Sequence, residues 1–356
     1  MSSVRIVPGM SIQTSIALFM GLMVLGGGPS QAAESATGKV VTLRIAHSYP
    51  TSNPRQAIAE SFKKIVESRS GARVKVEIFP AGQLFPSRDE ASALVRGDVQ
   101  MIMSPWSVVA AVDPVASIFE MPGLFPSMRV ALSVAEGPMG EMMAKRFATK
   151  KIELAGVFPV SVTVLTAKNK SLKSLDDVKG LRVRTAPSKY QTLIIQSLGG
   201  TPVNVEGAEL FTAMQMGQVD GAWVNRSLIA SGKLWDVQKH ALDNFMFYPS
   251  SPVLLSADFL SKLPAELQKI VRDAAKESTS SHAAQILADD EKLLAQMKDK
   301  MDVATLVMDD KVKTALAPAL AELKKSLGND LYNQAIDAVE KASRQAASDA
   351  PAASRR

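Results

Sequence analysis

From Val40 onward the chain alternates short β-branched runs with helical stretches, and this rhythm restricts the possible folds more than any other feature. Val40–His47 reads as a buried strand, Pro54–Ser70 as an amphipathic helix stopped by Gly71, Val74–Phe79 as a strand, Ser87–Arg96 as a helix and Val99–Ser104 as a strand. Strands separated by helices pair through crossovers, so the spacing predicts an α/β fold with largely parallel sheets. The succession returns at Leu181–Arg184 (strand), Ser188–Leu198 (helix), Val203–Val205 (strand), Ala208–Met216 (helix) and Val219–Val224 (strand). Both blocks contain one spelling, Ala93-x-x-x-Gly97-x-Val99 and Ala213-x-x-x-Gly217-x-Val219, in which glycine ends a helix at positive φ and valine opens a strand. Its matched position predicts two lobes of similar topology.

Past the second block the apolar spacing is helical over a long distance. Pro264 stands at a helix start, Leu267, Ile270, Val271, Ala274 and Ala275 share a face, and the pattern continues through Ile286 and Leu294 to about Met301. At ~1.5 Å per residue such a helix is about 55 Å long, so it spans both lobes unless the Ser278–Ser281 cluster breaks it. The lobes are then discontinuous, 40–161 with 250–288 and 162–249 with 289–340, followed by a disordered tail over 341–356.

The first residues, 1–32, read as a cleaved secretory signal. One positive charge at Arg5 precedes an apolar run from Ile16 to Leu25, too short to span a bilayer, and a small-residue site at Ser30-Gln-Ala32. An exported chain without cysteine must rest on burial alone and has no N-terminal thiol to lipidate, so the expectation is a soluble, monomeric protein of a Gram-negative periplasm. The net charge of +6 invites a nucleic-acid reading, and Lys168, Lys170, Lys173, Lys179, Arg182 and Arg184 do cluster. Asp176 and Asp177 interrupt that cluster, aromatic residues make up only 5% of the chain and no nucleic-acid motif accompanies it, so the excess reports solubility instead.

The chemistry concentrates between Asp176 and Asn225. A basic strand, Gly180-Leu-Arg-Val-Arg184, is followed by Glu209-Leu-Phe-Thr-Ala-Met-Gln-Met-Gly-Gln-Val-Asp-Gly221, a tightly punctuated helix-to-strand return. A fixed cation in such a frame holds a small anion rather than transforming it. A secreted hydrolase finds no Gly-x-Ser-x-Gly elbow, no His-Glu-x-x-His, and only His47, His240 and His282 as bases. No thiolate and no close histidine pair is available, which leaves only a carboxylate-built Ca²⁺ or Na⁺ site open; no cofactor is called for.

Several further segments join this one: Leu43–Ser48, Phe79-Pro-Ala-Gly-Gln-Leu84, Gly97-Asp-Val-Gln-Met101, Met121-Pro-Gly-Leu-Phe125, Leu175-Asp-Asp-Val-Lys-Gly-Leu-Arg-Val-Arg184, and the Leu263-Pro264 helix start with Gln268 and Ala274-Ala275. Together they resemble the periplasmic solute-binding proteins of tripartite ATP-independent (TRAP) transporters, the DctP-type receptors. The resemblance implies a two-lobed periplasmic binding protein with mixed, largely parallel sheets, hinge strands and a long helix bracing both lobes. It also implies closure over a small organic acid, delivery to a small and a large membrane subunit, and no catalysis. The family's carboxylate-binding arginine matches Arg184, with Arg182 on the same strand face as its competitor. A guanidinium stays charged when buried and meets a carboxylate with a planar fork of donors, which lysine does not.

The sequence also departs from the family. Val162-Thr163 stands where many members carry a Phe-Arg pair, so a second cationic contact is not evident; Ala222-Trp223-Val224-Asn225 replaces a Gln-Glu-Asn-Pro run; Gly207 and Phe85 replace an aromatic residue and a glycine. These changes predict a more apolar pocket and a monocarboxylate with an apolar or aromatic body over a sugar acid. Trp106 and Trp223 follow strand ends, where open α/β sheets bind ligands, although each also fits a core role. His47 ends the first strand as a ligand donor or a satisfied structural histidine. Ser104, Ser107 and Asn225 are candidate donors to a carboxylate, and Tyr248, in the Phe245–Ser251 crossing, is either a ligand contact or hinge packing. Glu209 reads as a helix start, since it would repel an anion. A binding protein that feeds a sensor instead of a transporter fits the same residues.

Overall fold

The computed structural model describes residues 40–244 and 248–348. The expected signal segment 1–32 and residues 349–356 of the expected tail lie outside them. The strands, in chain order, are β1 (Val41–Ala46), β2 (Val74–Phe79), β3 (Met101–Ile102), β4 (Ile152–Pro159), β5 (Thr163–Ala167) and β6 (Arg182–Thr185). They continue with β7 (Thr201–Asn204), β8 (Gly221–Asn225), β9 (His240–Asp243), β10 (Ser250–Ser256) and β11 (Asp302–Thr305). They form two sheets with neighbour orders β2-β1-β3-β10-β4 and β11-β9-β5-β8-β6-β7.

Strands joined through a helix are parallel, as the spacing predicts: β1 pairs so with β2 and β3, and β6 with β7 and β8. The antiparallel members are β10, against β3 and β4, and β5, against β8 and β9. These two strands are where the chain changes sheets. β4 ends at Pro159 in the first sheet and β5 opens at Thr163 in the second; β9 and β10 are divided the same way. The two crossings are tied to each other, because the Val160 N–H donates to the Pro249 carbonyl at 2.9 Å.

Each sheet is buried on both faces, and strand alternation decides which side chain goes where. In the first sheet Leu43, Ile45, Met101, Val253 and Leu255 enter one core while Ala46, Ile102 and Leu254 enter the other. In the second, Leu165, Val183, Trp223 and Leu242 face one way and Val164, Ala222, Val224 and Ala241 the opposite way. The predicted strand over 99–104 keeps only two ladder residues, yet Gln100 and Met103 still donate to the Arg44 and Ala46 carbonyls of β1.

The long helix, Ala265–Lys300, is unbroken over 36 residues. Its first half puts Leu267, Val271, Ala274 and Ala275 into a core of the first sheet, and Met297 near its end enters a core of the second. At the serine cluster the hydroxyls of Ser278, Thr279, Ser280 and Ser281 donate back to carbonyls of the preceding turn, which satisfies them without stopping the helix. Farther along, Asp290 accepts the Val162 N–H at 3.0 Å and pairs with Arg226 at 2.6 Å, while Arg226 pairs with Asp243 at 2.7 Å. Residues 341–348, expected in a disordered tail, are instead the end of a helix, Asn329–Ser348, whose Ala335 and Val339 are buried. The apolar 3.6-residue spacing of Ala335, Val339 and Ala342 against the first sheet's helices carries it past the Ala/Ser-rich composition.

The repeated spelling has a repeated geometry. Gly97 and Gly217 have φ of 81° and 69°, and in each case the next N–H returns to the alanine carbonyl of the motif, Asp98 to Ala93 and Gln218 to Ala213, both at 2.9 Å. Nothing lies within 4 Å of where a Cβ would stand at either glycine, so the backbone angle alone is at stake. Gly97→Ala and Gly217→Ala are each expected to lower stability by about 1–2 kcal/mol in urea melts, and melts matching the parent would refute this.

Candidate ligand-binding site

Residues that end or follow the parallel strands of both sheets line one cavity of about 60 Å³: Tyr49 after β1, Trp106 after β3, Arg184 and Ala186 at the end of β6, and Asn225 at the end of β8. One water needs about 10–15 Å³, so the space suits a small molecule. A wider groove of about 470 Å³ lies between Ala135–Ala144 and the long helix, but no guanidinium reaches it.

Arg184 is 6% exposed. Its Nε donates to the Val205 carbonyl at 2.8 Å and its Nη1 to the Trp223 carbonyl at 3.3 Å; Nη2 has no partner among the described residues. Arg182, on the same strand face, sits at the opposite end of β6 in solvent and is used up by Asp220, at 3.1 Å to Nε and 2.7 Å to Nη2. Position along the strand therefore separates the two candidates: one is ion-paired in solvent, the other is buried with no carboxylate in ion-pair contact among the described residues.

A second buried guanidinium enters from the side of the first sheet. Arg55, 2% exposed, occupies the first turn of the helix Pro54–Arg69 and lines the same cavity. Nε donates to the Met103 carbonyl at 3.2 Å, Nη1 to Asn53 Oδ1 at 3.4 Å and Nη2 to Ser251 Oγ at 3.2 Å, and the group lies 3.9 Å from the Tyr49 ring centroid. Neither Arg55 nor Arg184 forms an ion pair with a carboxylate among the described residues. Burial pushes both guanidinium pKa values down; Tyr49 works against it in each case, joined by the more distant charge of Glu90 at Arg55 and of Glu206 at Arg184. Arg55 carried a sequence signal that was missed: a cation at the positive end of a helix dipole, with no acid in that turn.

Two buried acids flank these cations. Glu120 lines the cavity, accepting from the Ser107 N–H at 2.9 Å and the Ser188 hydroxyl at 3.2 Å, so it joins elements packed on different sheets. Glu90 lies behind, receiving the hydroxyls of Ser48 and Ser104. Burial raises each to about 7, with the serine hydrogen bonds opposing it. Glu120 interrupts the apolar run Val115–Met121, which was the available clue. Arg55 and Glu120 thus supply polar groups away from the motif positions, in a cavity that Trp106, Phe119 and Trp223 also line.

Of the residues singled out in the sequence, Arg184, Trp106, Trp223, Ser107 and Asn225 line the cavity. Trp106 stacks on Phe119 at 4.2 Å between centroids and donates to Ser250 Oγ at 3.0 Å. Asn225 spends its Oδ1 as the cap of the next helix, receiving the Leu228 N–H at 2.9 Å, which leaves its amide NH₂ for the cavity. Three others are not brought there. His47 is fully buried, bonds Gln56 Oε1 at 3.0 Å and is held neutral, its pKa lowered to about 4 by burial. Ser104 is committed to Glu90, and Tyr248 packs against the core beside the first sheet. Among the described residues no group of three or more His, Asp or Glu is arranged to hold a metal ion.

The buried acids set a pH dependence. Between about 4.5, the ordinary value, and about 7 the folded chain keeps protons on Glu90 and Glu120 that the unfolded chain has lost, so their contribution to stability falls as pH rises through that window. His47 acts oppositely: from about 4 to 6.5 the unfolded chain binds a proton that the folded chain refuses, so its contribution grows with pH. Above 6.5 only the acids remain. Glu90→Gln and Glu120→Gln are expected to gain Tm relative to the parent on going from pH 5 to 8, measured without ligand; parallel Tm curves would refute the assignment.

Residues 45–329 match the family described as bacterial extracellular solute-binding protein, family 7, DctP. A solute-binding protein of Verminephrobacter eiseniae (strain EF01-2) is 28% identical over 313 residues, covering 88% of this chain and 93% of its own. The C4-dicarboxylate-binding periplasmic protein DctP of Rhodobacter capsulatus is 27% identical over 268 residues, 74% of this chain and 79% of its own. A TRAP periplasmic solute-binding protein from Shewanella oneidensis, solved with bound succinate, superposes with a TM-score of 0.79 at 25% identity, covering 84% of this chain and 99% of that one. The chain belongs to the bacterial extracellular solute-binding protein family 7, the two-lobed receptors of TRAP transporters.

Proposed function

We propose that this receptor captures a small organic acid whose carboxylate meets Arg184 from one lobe and Arg55 from the other. The observation that carries this reading is the pair of buried guanidiniums, each solvated by protein carbonyls, hydroxyls or a ring and neither neutralised by a carboxylate. An incoming anion supplies the missing charge to both. A ligand shifts an open–closed equilibrium only by its preference for the closed form, and an anion gripped from both lobes has that preference. The relatives named for C4-dicarboxylates and solved with succinate support an acid of this size.

In this reading the lobes divide at 161/162, 249/250 and 288/289, and the signal 1–32 delivers the monomeric receptor to the periplasm. There it hands the acid to a small and a large membrane subunit, without catalysis and without nucleic acid, cofactor or metal.

A thermal-shift screen of organic acids tests the reading. A ligand at about 100 times its Kd adds about 2.7 kcal/mol of stability, and formation of product in the same tubes would favour an enzyme. Removing one partner of a buried charge pair costs about 2–5 kcal/mol. Arg184→Ala should therefore weaken binding by about 30-fold to several thousand-fold in calorimetry, at about 1.4 kcal/mol per tenfold. Undiminished affinity in that variant would sink the assignment of Arg184.

A further inference from the structure

Glu120 is the cavity's one carboxyl group, among the described residues, and neither capture of a carboxylate nor its bridge between Ser107 and Ser188 requires its charge. It stands against the expected anion with the wrong charge, in a cavity whose lining includes Trp106, Phe119 and Val160, where an aliphatic side chain would fill the same place. Its burial is close to complete at 5% exposure. No cation pairs with it among the described residues, although two guanidiniums line the same cavity. Holding a carboxyl there has a cost that a purely structural role does not require, since the Ser107 N–H and the Ser188 hydroxyl could each be met by a neutral acceptor.

Its commitments also leave capacity to spare. A carboxylate offers about four acceptor sites; the Ser107 N–H, the Ser107 hydroxyl and the Ser188 hydroxyl take three, so about one remains. The serines fix the group from two sides, one from each lobe, so its remaining lone pair is held in place when the lobes are closed. The cavity therefore combines donors for an anion, Arg184 and Arg55, with a fixed acceptor that no protein donor saturates. A molecule that completes both sets carries a carboxylate and, a few atoms away, a donor of its own.

We infer that Glu120 is a specificity-determining residue that accepts a hydrogen bond from a hydroxyl or N–H on the bound acid, so that the substrate class is small hydroxy- or N–H-bearing carboxylates and not their unsubstituted parents. The inference rests on the carboxylate reading above. A site built around a polar group of the substrate discriminates strongly against the analogue that lacks it, because the acceptor is then buried with nothing to receive.

Calorimetry with the full chain near pH 8, above the value of about 7 to which burial raises this carboxyl, tests the inference with two matched pairs, lactate with propionate and malate with succinate. The hydroxylated member is expected to bind at least about tenfold more tightly in the pair that binds, a difference of about 1.4 kcal/mol. In Glu120→Gln, which keeps the shape and an acceptor for Ser107, that ratio should fall toward one while the parent acid holds its affinity. Glu120→Asp, which keeps the charge but withdraws the acceptor, should reduce the ratio as well. Equal binding within the pairs by the unaltered protein overturns the inference and leaves carboxylate capture standing. A uniform loss of all four acids in Glu120→Gln makes the residue structural and overturns it too. Failure of every acid to bind the unaltered protein defeats the carboxylate reading itself, and this inference with it.

Discussion

A guanidinium removed from water without a carboxylate beside it is an expensive arrangement, and this molecule holds two around one small space. The expense is tolerable because each is met by dipoles. Arg184 donates to carbonyls at Val205 and Trp223; Arg55 donates to Met103, Asn53 and Ser251 and lies over the Tyr49 ring. Carbonyls and ring faces stabilise a cation without cancelling its charge. The positive potential therefore survives burial and remains available to an anion, whereas Arg182, paired with Asp220 in solvent, has none to offer.

The sheets explain how such a place can exist. Parallel strands expose their carboxyl ends together, so β6 and β8 present Arg184, a supporting carbonyl and Asn225 at one rim, while the turns after β1 and β3 bring Tyr49, Arg55 and Trp106 to the other. The rims are joined across the cavity by Ser188 with Glu120 and, nearby, by the Ser87 N–H and Arg88 with Glu206 at 3.2 Å and 3.5 Å. The exposed Arg88–Glu206 pair contributes little by itself.

Much of the fold could be read from the chain because its signals are local. Strand period, helix period and the two glycine stops each act within a few residues, and they located β1, β2 and the helices Pro54–Arg69 and Ser87–Arg96 to within a residue. The site was less legible. Arg184 stood out through its motif, but its advantage over Arg182 depends on which end of β6 meets the cavity. Position at a strand end did not show which way a side chain turns: His47 folds back onto Gln56 and Ser104 onto Glu90, both away from the cavity. Arg55 and Glu120 are about 65 residues apart in sequence and acquire meaning only once β1 and β3 are neighbours, a pairing that no local pattern states.

The long helix has a mechanical implication. Its C-terminal part is fastened to the second sheet through Asp290, which grips both Arg226 and the crossing at Val162, and through Met297; its N-terminal part is embedded against the first sheet. Anchorage at both ends means that the two sheets share one continuous rod. Its intervening turns include Ser278–Ser281, where side-chain hydroxyls compete for the ladder carbonyls and soften the rod. The polar stretch that looked like a candidate break thus keeps the backbone continuous and gives the shared rod its most bendable turn.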